Sequence, residues 1–136
     1  MVSGVNHITL SVRDVEESYD FYATVLGFKP VLRWPKGAYF TAGEAWVAIV
    51  LDENVRDGML PEYSHIAFSA PSGEFQGLCE RIIKSGAVIW QENQTEGDSL
   101  YFSDPNGHRL EIHVSDLKAR VASVKANPWP GLEVFE

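Results

Sequence analysis

His7 and His65 occupy matching places in the chain. Each follows a small polar residue and opens an alternating pattern, NHITLSV and SHIAFS. On the last strand-like stretch, RLEIHV, Glu111 shares a face with Arg109 and His113. Two imidazoles and a carboxylate form a borderline-to-hard ligand set for a divalent transition metal, and three protein ligands leave positions open for substrate. A single histidine on a strand is commonly structural. Two at repeat-equivalent positions, joined by Glu111, point instead to a metal site of His7, His65 and Glu111. His113 is a weaker fourth candidate. His108, just after a turn, is expected to face solvent or pack locally.

The elements that must position these groups form an internal repeat. His7 and His65, and likewise Gly27 and Gly86, are separated by nearly the same offset. Asp14 can cap a first helix, with Glu17 three residues on, and Gly27 supplies a left-handed stop. Ser72 is the cap candidate for a second helix, whose stripe Phe75, Leu78, Cys79 and Ile82 ends at Gly86. Strands are expected at 38–40, 45–51, 99–103 and 108–114, with Asp104-Pro105-Asn106-Gly107 as the last turn. The fold class is therefore α+β: two β-α-β-β-β units, about 4–58 and 60–115, then a helix and tail over 116–136. Aligning Gly43 with Gly107 places Val47 opposite Glu111, so the first unit lacks the carboxylate and one metal site per chain is expected.

With 136 residues, 45% of them hydrophobic and 22% charged, the chain reads as a single ordinary globular domain. A net charge of −8 argues against nucleic acid or an anionic membrane as partner, while a small anionic ligand needs only a local positive site. The lone Cys79 excludes an internal disulfide and reads as a small core residue. No signal-like start and no long apolar run is present, so the cytoplasm is the expected address.

The strand faces carry the functional argument. Ile8, Leu10 and Val12 oppose His7, Thr9 and Ser11, and Leu110, Ile112 and Val114 oppose Arg109, Glu111 and His113. The wet side of a surface sheet usually carries Lys, Glu and Thr. Here it carries histidines, hydroxyls, tyrosines and one carboxylate, which suit a metal and an oxyanion inside a curved sheet.

At these residues a family resemblance emerges. The stretches NHITLSV, GAYF, AWVAI, YSHIAFS, EGDSLYFSDPNGHRLEIHVSDLKAR and NPWPGLEVFE resemble the fosfomycin-resistance thiol transferases of the FosA type, in the vicinal oxygen chelate superfamily. The resemblance covers nearly the whole chain. It implies a domain-swapped homodimer, with His7 of one subunit joining His65 and Glu111 of the other around Mn(II). It implies addition of the thiol of glutathione to the epoxide of fosfomycin, which confers antibiotic resistance. Thr9, Ser99, Tyr101 and Arg120 match the phosphonate cage, with Thr95 where the family often has Ser. Asn93, Thr95, Gly97 and Ser99 match a K⁺-binding loop. Tyr39 matches a residue that helps the thiol lose its proton, and Trp46 and Tyr63 match pocket walls. Thr9, Tyr39 and Arg120 are thus the implied catalytic residues.

The sequence also departs from that family. Gln91 stands where glutathione-using members usually have lysine, Gln94 where a basic residue is common, and Val50 where a small polar residue is frequent. Trp34 is in place, and Lys36 offers a compensating charge. Losing a charge-assisted bond to an anionic substrate costs about 1–3 kcal/mol. The cysteine- or bacillithiol-using type carries a cysteine where Thr9 stands, and the hydrating type carries a glutamate near Gly37. Two alternatives remain: a metalloenzyme of the same scaffold for another small epoxide or oxyanion, and a metal-free drug-binding module.

Overall fold

A computed structural model of the protein describes residues 1–135. Glu136, the last residue of the expected tail, lies outside them. In each half, an alternating apolar strand is followed by a helix whose apolar stripe must cover it. The first half runs β1 (His7–Val12), α1 (Val15–Asp20), β2 (Lys29–Trp34), β3 (Gly37–Ala42) and β4 (Ala45–Leu51). The second runs β5 (Ile66–Ser69), α2 (Phe75–Lys84), β6 (Ile89–Gln91), β7 (Asp98–Ser103) and β8 (Arg109–Val114), followed by α3 (Leu117–Ala126).

Among the described residues the strands form two four-stranded sheets, ordered β1-β4-β3-β2 and β5-β8-β7-β6. The first strand of each half pairs in parallel with the last, and the other pairings are antiparallel. The sheets are thus mixed and topologically identical.

Asp14 caps α1, accepting from the Glu17 amide at 3.0 Å. The helix then widens into a π-turn over Phe21–Val25, closed by Leu26 N–H donating to the Phe21 carbonyl. Gly27 and Gly86 follow the two helices with φ of 74° and 84°. Ser72 does not cap α2. Pro71 to Glu74 first closes a turn of its own, so the helix begins at Phe75 behind Glu74, which makes no side-chain cap bond.

One apolar core spans both halves. Tyr22, Phe40, Val47, Ile49, Ile82, Phe102 and Leu110 are fully buried, and the Phe28 and Phe68 rings meet across the halves at 5.0 Å. Burying each such side chain stabilises the fold by roughly 1.5–3 kcal/mol. A buried polar seam fixes how the halves meet. Tyr22 donates to Asp104 at 2.7 Å, and Asn106 accepts from the Arg13 amide and donates to Ser18. Burial, and then the Asp104 carboxylate, push the Tyr22 phenol well above its ordinary pKa. His108 corrects the sequence expectation: it is buried, and Nε2 donates to the Ser11 carbonyl of the other half at 2.7 Å. No helix among the described residues is long and apolar enough to cross a membrane.

Candidate active site

The second sheet brings His65 and Glu111 together. Ala67, Glu111 and Tyr101 lie in one cross-strand row, and His65 stands just before β5. The His65 ring is held from behind, because Nδ1 donates to the Tyr63 carbonyl at 3.0 Å. Its Nε2 then lies 3.0 Å from Glu111 Oε1, with Glu111 only 6% exposed. A neutral imidazole that has donated through Nδ1 offers only a lone pair at Nε2, and an ionised carboxylate offers only lone pairs. Two inward-facing acceptors of nitrogen and oxygen type fit a divalent cation between them. Tyr63, Trp90 and Tyr101 wall the pair, with ring centroids 5.0, 5.4 and 5.9 Å from that of His65.

His7 lies elsewhere, on the first sheet. Its Nδ1 bonds Asn6 Oδ1 at 2.7 Å, and its ring stacks on Trp46 at 4.3 Å. Among the described residues of one chain no three His, Cys, Asp or Glu side chains are grouped to hold a metal. Thr9 and Tyr39 flank Ala48 in one row of this sheet. Tyr39 sits edge-on between Trp34 and Trp46. The expected site residues other than Asn93, Thr95, Gly97 and Arg120 therefore divide into two groups. His7, Thr9, Tyr39 and Trp46 line the first sheet. Tyr63, His65, Ser99, Tyr101 and Glu111 line the second.

The register corrects one equivalence. Ile8 pairs with Val47 as Ile66 pairs with Leu110, so Ala48, not Val47, occupies the place of Glu111. Val47 is fully buried on the opposite face. The first unit still lacks the carboxylate.

The expected cation loop and Arg120 meet beside this sheet. Asn93 closes the loop on itself, donating to the Gly97 carbonyl at 2.7 Å and accepting from the Thr95 amide at 3.1 Å. Gly97 has φ 79°, and a Cβ there would stand 2.8 Å from Ser115 Cβ and 2.9 Å from the Val114 carbonyl, so only glycine lets the loop dock on β8. Arg120 donates through Nε to Glu96 at 3.0 Å and through a terminal nitrogen to Thr95 Oγ1 at 3.3 Å. The Ser115 hydroxyl, and after it the Arg120 guanidinium, hold the Glu96 carboxyl below its ordinary range. Glu96 was missed by sequence reasoning, since no spacing marks an acid that must meet a helix 24 positions on.

The departures are also placed. Gln91 donates to the Tyr63 hydroxyl at 3.0 Å. Val50 pairs with Gly37, where a Cβ would lie 2.5 Å from the Ile49 carbonyl and 2.8 Å from the Trp34 ring. Burial pushes the Cys79 thiol above its ordinary pKa, as suits a core residue rather than a nucleophile. The wide cleft of about 1040 Å³ between the halves is lined by Arg13, Glu17, Asp57, Met59 and Asn106, and by none of the expected site residues. Chemistry, not volume, marks the site.

The family model of the Glyoxalase/Bleomycin resistance protein/Dioxygenase superfamily matches residues 4–112. The chain belongs to this superfamily. Within it, the chain groups with the Fos thiol transferases. It is 40% identical over 135 residues to the glutathione transferase FosA of Serratia marcescens, covering 97% of this chain and 95% of that one. It is 38% identical over 127 residues to the metallothiol transferase FosB of Shouchella clausii, covering 90% and 87%. The fold matches a mutant of the fosfomycin resistance protein FosX from Listeria monocytogenes, complexed with Mn(II) and 1S,2S-dihydroxypropylphosphonic acid. That match has a TM-score of 0.77 and 27% identity, covering 90% of this chain and 99% of that one. The chain thus shares its superfamily with metal-binding relatives, and its own inward-facing His65–Glu111 pair is a fitting donor set.

Proposed function

We propose that the protein opens the epoxide of fosfomycin by adding the thiol of glutathione, as a Mn(II)-dependent, K⁺-assisted transferase. The observation that carries this reading is the His65–Glu111 pair, with Nε2 and Oε1 3.0 Å apart and the Ser99 hydroxyl on the other Glu111 oxygen. The working unit is a homodimer in which His7 of a second copy completes the ligand set, since one chain keeps His7 on its other sheet. A bound Mn(II) would act as a Lewis acid toward the epoxide oxygen.

The chain's own groups do the rest. Arg120 spends Nε on Glu96 and one terminal nitrogen on Thr95, and its other terminal nitrogen is the donor for a phosphonate. Thr9 and Tyr101 supply neutral hydroxyl donors to the same oxyanion, while Thr95 and Ser99, whose protons go to Asn93 and Glu111, shape the cage around it. The loop of Asn93, Thr95, Gly97 and Ser99 offers oxygens to K⁺. Tyr39 accepts a hydrogen bond from the thiol at its phenolic oxygen, and the thiol proton passes to solvent as the thiolate forms. The sulfur–carbon bond forms as the carbon–oxygen bond of the ring breaks, and the released oxygen takes a proton from solvent. Trp46 and Tyr63 exclude water around the reacting carbon.

Water addition would yield a dihydroxypropylphosphonate and needs a general base. At Gly37, near where the hydrating type carries its glutamate, the crowded backbone leaves no room for a side chain. A second reading, another small epoxide or oxyanion as substrate, is favoured by the neutral Gln91, already engaged by Tyr63. A metal-free drug-binding module needs no paired acceptors, and their presence argues against it. The cytoplasm, where glutathione is abundant, is the compartment this function expects. Initial rates with fosfomycin and a panel of thiols, with and without Mn(II) and K⁺, test the reading. Turnover only with other epoxides would favour the second.

A further inference from the structure

His113 on β8 belongs to neither the ligand pair nor the anion-binding set, yet it borders both. Its Nδ1 meets Ser99 Oγ, and its Nε2 lies 3.7 Å from Glu96 Oε1, the oxygen that holds Arg120. The Ser99 hydroxyl has one proton, and it donates that proton to Glu111 Oε2 at 2.6 Å. Toward His113 it can only accept, so the ring presents Nδ1–H. At 3.5 Å that nitrogen is too far to hold Glu111 directly. The contact runs through the serine. The register explains why: Ser99 and His113 oppose each other on β7 and β8, two residues along from the Tyr101–Glu111 pair and on the same face.

The other half of the molecule supplies an internal control. At the places of Glu111, Ser99 and His113 the first sheet has Ala48, Gly37 and Val50. The unit without the carboxylate lacks the serine and the histidine as well. The three polar residues are present or absent together, as parts of one device would be.

We infer that His113 is a positioning residue for the Glu111 carboxylate: acting through Ser99, it fixes Oε2 and thereby turns Oε1 toward His65. This rests on the reading in which His65 and Glu111 hold a metal. Outer partners of this kind typically set metal affinity by about 10–100-fold.

The test is Mn(II) binding to the full chain, followed by the spin-resonance signal of free Mn(II), in His113→Ala, Ser99→Ala, the double variant, His113→Asn and His65→Ala. His113→Ala and Ser99→Ala are each expected to weaken binding about 10–100-fold. The double variant should be no weaker than either single one, because both break the same relay. His113→Asn keeps an N–H donor near the position of Nδ1, so its affinity should stay within about threefold of wild type. Melting temperatures of the metal-free proteins should agree, and should His113→Ala not fold, Ser99→Ala and His113→Asn carry the test. Wild-type affinity in His113→Ala or Ser99→Ala, with binding lost in His65→Ala, would overturn the positioning role alone. So would losses that multiply in the double variant. Binding unaffected by His65→Ala, or absent from wild type, would overturn the metal reading and the inference with it.

Discussion

His65 Nε2 faces Glu111 Oε1 across 3.0 Å, while His7, the third residue of the expected ligand set, stacks on Trp46 in the other sheet. If the site is shared between two copies, two inactive chains can rescue each other. Co-refolded His7→Ala and Glu111→Gln chains should recover roughly a quarter of wild-type activity, since random pairing makes half the dimers mixed and each mixed dimer has one intact site. Either variant refolded alone should stay inactive. No recovery in the mixture would contradict the shared site.

Arg120 and Glu96 give a pH-dependent prediction. The Glu96 carboxyl is lowered by Ser115 and then Arg120. The contribution of these bonds is therefore complete above the ordinary carboxyl pKa and is lost as pH falls through the lowered folded value. The KM for fosfomycin should rise at that acid edge. Glu96→Gln should remove the edge from the KM profile, and Arg120→Ala should raise KM at every pH. An unchanged acid edge in Glu96→Gln would separate Glu96 from phosphonate binding.

Gln91 sits where a cation would serve an anionic substrate, and its amide is spent on Tyr63. Gln91→Lys should raise kcat/KM for fosfomycin by about 5- to 150-fold, the equivalent of a charge-assisted bond worth 1–3 kcal/mol. Steady-state kinetics decides it. A lower kcat/KM would mean that the Gln91–Tyr63 contact matters more than charge.

Gly37 has no room for a methyl group between the Ile49 carbonyl and the Trp34 ring. Gly37→Ala should destabilise the protein by about 1–3 kcal/mol, the usual cost of overpacking. Urea denaturation checks this. A midpoint equal to wild type would show that Trp34 moves aside freely.

These outcomes bear on how much of the molecule could be read from its residues. The repeat was legible because His7 and His65, and Gly27 and Gly86, punctuate both halves alike. The core faces followed from strict alternation in β1 and β8. β2 is not legible, because all six of its residues are exposed and leave no alternation to read. β6, with only three residues, is too short to show a period. The Val47 equivalence slipped by one because Gly43 opens a two-residue turn between Ala42 and Ala45, whereas Gly107 sits late in the longer turn between Ser103 and Arg109. Ligand types at His65 and Glu111 were visible as chemistry. The Ser99–His113 relay and the Glu96–Arg120 pair depend on strand register and a docked loop, which spacing alone does not reveal.

The most direct test is mass analysis of the product when purified protein meets fosfomycin and glutathione, with and without Mn(II), beside His65→Ala. The account predicts a one-to-one glutathione–fosfomycin adduct that needs the metal and vanishes in His65→Ala. A diol in place of the adduct, or adduct formation that survives His65→Ala, would contradict it.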